Sequence, residues 1–213
     1  KSNEFINYLL SLPTNLTEMR TFLLIFISLL FITIKTAAQP KHEIRATWIT
    51  TLGGMDWPRN KAANANGIRR QQQELRDILD QLKEANFNTV MLQTRLRGDL
   101  IYPSVIETFP ESLTGKTGRN PGYDPLAFAI EECHKRGMEL HAWINPFRIS
   151  FDNDLSKLSD NHPARDWIEK KTADVVFVND GIYYSPASLS AQKLVIDGAR
   201  EIVTNYDVDG VHI

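Results

Sequence analysis

The sequence holds one cysteine, Cys133, in 213 residues. A single thiol excludes an internal disulfide framework and any cysteine-cluster metal site. Neither sign of charge is much in excess: 24 Lys and Arg stand against 26 Asp and Glu, a formal net charge of −2. No global basic field therefore exists to hold a nucleic-acid backbone. No apolar run reaches the roughly 20 residues that a bilayer-spanning helix needs. No G-x-G-x-x-G or G-x-x-x-x-G-K-[ST] follows a candidate strand, and Gly53-Gly54 alone reads as a turn, so a dinucleotide or phosphate cradle is set aside. H-E-x-x-H and G-x-S-x-G are missing as well, which removes the zinc-protease and serine-elbow readings. What is present, 42% hydrophobic and 23% charged residues with 11 Gly and 10 Pro, is the composition of an ordinary globular domain.

The first forty residues do not belong to that domain. Residues 22–34 (FLLIFISLLFITI) form a nearly all-apolar run of thirteen, the length of a secretory h-region, for which roughly 7–15 residues suffice. Met19-Arg20 before it supplies a start and a positive charge, and Thr36-Ala37-Ala38 after it supplies small residues for cleavage before Gln39. Residues 19–38 are expected to be a signal peptide, and residues 1–18 to lie upstream of the true start. No cysteine follows the run, so lipid attachment is not open to it. The expectation is a secreted or periplasmic protein with no stable membrane span after cleavage.

From residue 39 the pattern alternates strand and helix. Residues 44–50 (IRATWIT), 88–95 (NTVMLQTR), 138–144 (MELHAWI) and 208–213 (VDGVHI) are rich in β-branched and apolar residues and read as four major strands. Helical spacing over 69–85 puts Leu75, Ile78, Leu79 and Leu82 on one face. Asp124-Pro125 opens a second helix that stops at Gly137, and an amphipathic helix covers 190–206. A short helix is expected around 163–170, and a hairpin joins 175–178 to 182–184 across Asn179-Asp180-Gly181. Helices of this length between strands mean parallel βαβ units. Long, chemically loaded loops after the strands suit a barrel whose active site lies at the C-terminal strand ends. The expected fold class is α/β: the first half, about four strand–helix units, of a (β/α)8 TIM barrel that breaks off in its fourth strand.

Strand alternation separates the two faces. Leu140, Ala142 and Ile144 form an apolar set, leaving His141, Trp143 and Asn145 on the other side. By the same phase Val90 and Leu92 pack under helices while Gln93 and Arg95 point inward, and Gly210 and His212 oppose Val211 and Ile213. Histidines, an arginine and an asparagine at corresponding positions of successive strands describe one polar cavity. Trp143 at its rim is a platform for a sugar ring. A lone strand histidine is ordinarily a hydrogen-bonded core residue, and two without a third ligand make a poor zinc set. Arg95 and Asp99 either pair with each other or present a charge and an acceptor to substrate hydroxyls. Arg97 reads as a loop-surface charge and Arg148 as a rim residue. Asp124 is explained by helix capping, Asp180 by the hairpin, Asp209 by bracing the fourth strand, and Cys133 by packing.

IRATWIT, NTVMLQTRLRGDLIYPS, GYDPLAFAIEECHKRGMELHAWINPFR and YDVDGVHI together resemble the glycosyl-hydrolase-like family 10, from about Lys41 onward. That resemblance implies an exported (β/α)8 glycoside hydrolase acting on bacterial glycans, peptidoglycan strands without stem peptides among them. It also implies further carboxylates just beyond Ile213. Glycoside hydrolysis canonically uses two carboxyl groups, and Asp99 is the best-placed one in the sequence. The expected catalytic residues are Asp99, His141 and His212. Gln93, Arg95, Trp143, Asn145, Arg148 and Tyr123 are expected to bind substrate. No metal or other cofactor is expected, and the partner is a polysaccharide or peptidoglycan glycan. The competing reading is a non-catalytic glycan-binding barrel.

Overall fold

A computed structural model describes residues 43–213. The expected signal peptide at 19–38 and the upstream residues 1–18 lie outside the described residues. Among the described residues no helix is long and apolar enough to cross a membrane.

Four strands, β1 (Ala46–Ile49), β2 (Thr89–Arg95), β3 (Glu139–Ile144) and β7 (Gly210–His212), form a parallel sheet. Their spatial order is also their chain order. Each new strand adds on the same side, so the sheet never reverses as a doubly wound sheet does at its switch point. This is the progression of a (β/α)8 barrel, and the fold class is as expected. Register is tight: Trp48, Met91, His141 and Gly210 share one level, and Gln93, Trp143 and His212 share the level above.

Three long helices cover one face: α1 (Ala65–Glu84), α3 (Pro125–Lys135) and α5 (Leu189–Asn205). Leu75 and Leu79 of α1, Leu126, Ala129, Ile130 and Cys133 of α3, and Ile202 of α5 meet Ile49, Val90, Leu92, Leu140, Ala142 and Ile144 of the strands in one buried core. Each such Leu, Ile or Val side chain contributes about 1.5–3 kcal/mol by leaving water. The apolar strand set therefore lies under the helices, and the polar set faces away from them. The Asp124 carboxylate caps α3 by accepting from Leu126 N and Ala127 N, and Asp209 accepts from Leu140 N at 2.8 Å, bracing the entry to β7.

Helix α1 starts four residues earlier than its apolar spacing implies. Asn64 caps it by accepting from Gly67 N, and Gly67 lets the Lys61 carbonyl come so close that a Cβ there would lie 2.2 Å from that oxygen. The segment between β2 and α3 is well packed: Leu100, Ile101, Tyr102, Phe109 and Leu113 are buried, and a short helix α2 (Glu111–Thr114) forms within it. Between β3 and α5 a second, antiparallel sheet is inserted. It orders β4 (Arg148–Ser150), β6 (Gly181–Tyr184) and β5 (Val175–Val178) over α4 (Pro163–Glu169). The β5–β6 hairpin is as expected, with Asn179 at φ 52° in its turn, while β4 carries no sequence signal of its own. This insert has a separate core of Ile149, Leu158, Ala164, Val175, Ile182 and Tyr184.

Candidate glycan site on the polar strand face

The sheet brings His141, Trp143 and His212 together. His141 Nδ1 lies 2.8 Å from His212 Nε2, and His141 Nε2 lies 3.2 Å from a Glu139 carboxylate oxygen. Neutral tautomers satisfy both contacts in one direction only: His212 Nε2–H donates to His141 Nδ1, and His141 Nε2–H donates to Glu139. That assignment leaves His212 Nδ1 as a lone pair for another donor. The two imidazoles stack with centroids 5.1 Å apart. Gly210 makes room for this arrangement, because a Cβ there would sit 2.5 Å from His141 Nδ1.

Trp48 joins the group and was not among the expected site residues. Its indole packs edge-on against Trp143 at 4.9 Å and against His212 at 5.5 Å. The alternation of residues 44–50, with Ile49 on the core side, is the signal that could have found it. Two indoles on the strand face that a complete barrel turns inward put flat apolar surface beside hydrogen-bonding rings, the combination that holds a sugar by its C–H face and its hydroxyls.

Toward the C-terminal strand ends the residues take different parts. The Gln93 amide oxygen accepts from Thr50 Oγ1 at 2.6 Å and from Thr51 N at 3.0 Å, which ties β2 to the end of β1. Arg95 does not pair with Asp99. Its guanidinium meets Glu107 in a two-pronged contact, both N···O distances 2.6 Å, and also donates to the carbonyls of Asn145 and Pro146. Burial works against the Arg95 charge, and the Glu107 carboxylate more than restores it, so its pKa stays above the ordinary value. The expected substrate contact from Arg95 is thus committed inside the protein, where it clamps the corner after β3. Glu107, in a loop without periodicity, had no sequence signal.

Asp99 is 8% exposed and lines a narrow recess with Arg97, Thr108, Ser150 and His162. One carboxylate oxygen accepts from Arg97 N at 3.1 Å and the other lies 3.6 Å from the Arg97 guanidinium. Burial outweighs that cation and raises the Asp99 pKa above the ordinary carboxylate value. His162, also not anticipated, accepts from Ala164 N through Nδ1 and holds Nε2 buried without a hydrogen-bond partner. Burial pushes its pKa down. Arg148 lies on β4 against Tyr183 and Phe151. Tyr123 stands apart from these groups: its hydroxyl donates to Gln71 of α1 and its ring packs on Phe128 of α3, in the helical layer. Among the described residues no group of three or more His, Cys, Asp or Glu is arranged to hold a metal ion.

Known proteins are similar to this chain in sequence. The glycosyl hydrolase-like 10 family pattern matches residues 43–213. The chain is 41% identical over 180 residues to the glycosyl hydrolase YngK of Bacillus subtilis (strain 168), covering 83% of this chain and 33% of that protein. It is 36% identical over 192 residues to the glycosyl hydrolase DigH of Escherichia coli (strain K12), covering 83% of this chain and 42% of that one. Among solved structures, the maltogenic α-amylase AmyB of Thermotoga neapolitana aligns at 14% identity with a TM-score of 0.45, over 79% of this chain and 38% of that one. The chain thus spans less than half the length of the curated relatives named. It belongs to the glycosyl hydrolase-like 10 family.

Proposed function

We propose that the protein is an exported glycoside hydrolase that acts on bacterial glycans, peptidoglycan strands lacking stem peptides among them, by carboxylate acid/base chemistry. The observation that carries this reading is the pair Trp48 and Trp143 beside the His141–His212 couple, on the strand face opposite the helices. The site's chemistry fits the family's name. Trp48 and Trp143 supply the stacking surface, and His212 Nδ1 is free to accept from a sugar hydroxyl. His141, fixed between His212 and Glu139, orients that acceptor.

Asp99 is our candidate general acid. A carboxyl whose pKa is raised by burial holds its proton closer to neutral pH and can deliver it to a departing glycosidic oxygen. Its counterpart is expected from the carboxylates that the family resemblance puts after Ile213, since the reaction needs a second group on the far side of the bond. Gln93 and Arg95 act through the loops they hold.

The test is release of reducing ends from peptide-free glycan strands by the full-length protein and by its Asp99→Asn variant. Turnover by the native protein and loss of at least about a hundredfold in kcat/KM for the variant, as for removal of a general acid, supports the reading. Glycan binding without turnover by the native protein replaces it with the non-catalytic one. Export is tested separately by N-terminal sequencing of the exported protein, where a mature chain still carrying residues 22–34 contradicts cleavage before Gln39.

A further inference from the structure

At the end of β4 lies a group of side chains that neither core explains. The Arg148 guanidinium sits 4.2 Å from the centre of the Phe151 ring and 4.8 Å from that of Tyr183, and Arg97 reaches to 5.8 Å over the same Phe151 ring. Three segments deliver these residues: the loop after β2, β4 with the residue that follows it, and β6. Phe151 remains 40% exposed, too open for a core ring.

Arg148 is unlike Arg95 and Arg136. Arg95 and Arg136 each face a carboxylate within ion-pair distance. Arg148 has none among the described residues. Its one side-chain hydrogen bond runs from Nη2 to the Tyr183 hydroxyl, and its Nε is buried without an acceptor. A guanidinium carries five N–H donors in a planar fork that matches a carboxylate. Arg97 shares its charge with Asp99 only loosely, at 3.6 Å, and its guanidinium stands on the same aromatic ring. Two cations around one half-exposed aromatic ring, one of them met by no carboxylate among the described residues, describe a receptor for a ligand with a negative substituent.

We propose that Arg97, Phe151, Arg148 and Tyr183 form a subsite for a sugar ring that carries a carboxylate. The proposal rests on the glycan reading above and adds to it the charge of the sugar recognised. The ring stacks on Phe151, and the carboxylate is taken by the guanidinium edges. Through Arg97 the subsite adjoins Asp99, so a bound acidic sugar lies beside the candidate acid.

The experiment is isothermal titration of the full-length protein with two ligands: oligosaccharides from peptide-free glycan strands with their carboxylates intact, and the same oligosaccharides with those carboxyls reduced to alcohols. The native protein is expected to bind the carboxylate form about ten- to a hundredfold more tightly, the worth of a hydrogen-bonded charge contact. Arg148→Gln and Arg97→Gln should each lower that ratio, and Arg148→Lys should recover part of it. Circular dichroism checks that each variant folds. If Arg148→Gln does not, Arg97→Gln decides, since its side chain belongs to neither core. Equal binding of the two oligosaccharides by the native protein overturns the subsite alone. An unchanged ratio in the folded variants overturns its assignment to these arginines. Binding of neither ligand overturns the glycan reading and the subsite with it.

Discussion

Replacing Glu107 by Gln probes the clamp at the end of β2. In the native protein the Arg95 and Glu107 side chains are 3% and 2% exposed, and they meet through two N–H···O contacts of 2.6 Å. The Tyr184 hydroxyl donates to the same carboxylate at 3.2 Å, and the Arg95 guanidinium lies 5.6 Å from the Tyr184 ring centre. Glutamine keeps the shape but removes the charge, and it turns an NH2 group toward one of the guanidinium N–H donors. Breaking a buried ion pair from one side costs roughly 3–5 kcal/mol, because the remaining charge is left without compensation. The carbonyls of Asn145 and Pro146 still accept from Arg95, which holds the expected loss near the lower end, about 3 kcal/mol. Urea unfolding of the full-length protein, native against Glu107→Gln, measures it as a fall in midpoint at constant slope. The double variant Arg95→Met/Glu107→Met should lose less than the sum of the single changes, since no unpaired charge remains. A Glu107→Gln variant within about 0.5 kcal/mol of native would refute the reasoning, for that is the range of an ordinary surface substitution.

Other outcomes follow from the same groups. Asp99 titrates above the ordinary carboxylate value, so its contribution to stability is complete below the unfolded pKa of 3.8 and is lost as pH rises through the raised folded value. Asp99→Asn should therefore be more stable than native at pH 7 in urea unfolding, with the difference shrinking at acid pH. His162 has the opposite sign: its folded pKa is lowered, so its contribution is present above 6.5 and is lost as pH falls through the folded value. Its replacement by Asn, a good helix cap, should flatten the stability profile between pH 7 and 5. Gly210→Ala drives a methyl to within 2.5 Å of His141 Nδ1. It should cost about 1–3 kcal/mol as overpacking does and shift the His141 imidazole resonances, which NMR detects.

Much of the scaffold was legible because its periodicities are strong and local. The alternation of Leu140, Ala142 and Ile144 against His141 and Trp143, and the caps at Asp124 and Gly137, are written in neighbouring residues. They fixed the two faces of β3 and the ends of α3. What escaped depends on contacts far apart in the chain. β4 is three residues long and exists through its pairing with β6. The first turn of α1 lies ahead of the apolar spacing and holds Gly67, whose missing Cβ allows close packing on Lys61. For Arg95 the sequence offered Asp99, four residues away, or a substrate hydroxyl, whereas the fold supplies Glu107, twelve away. Trp48 was readable by alternation, from its phase opposite Ile49. His162 could not have been read, since only the fold brings it to Asp99.

The central claim is that the polar strand face, built around His141, is where the glycan is held. The most direct measurement is kcat/KM for reducing-end release from peptide-free glycan strands by the full-length protein and its His141→Ala variant, with folding of both verified by thermal unfolding. His141 links His212 at 2.8 Å to Glu139 at 3.2 Å, so its loss frees the His212 ring proposed to face the sugar. A hydrogen bond of this charge-assisted kind, felt in the transition state, is worth about ten- to a hundredfold in rate. The account predicts a fall of that size in a variant that still folds, and an unchanged kcat/KM would contradict it.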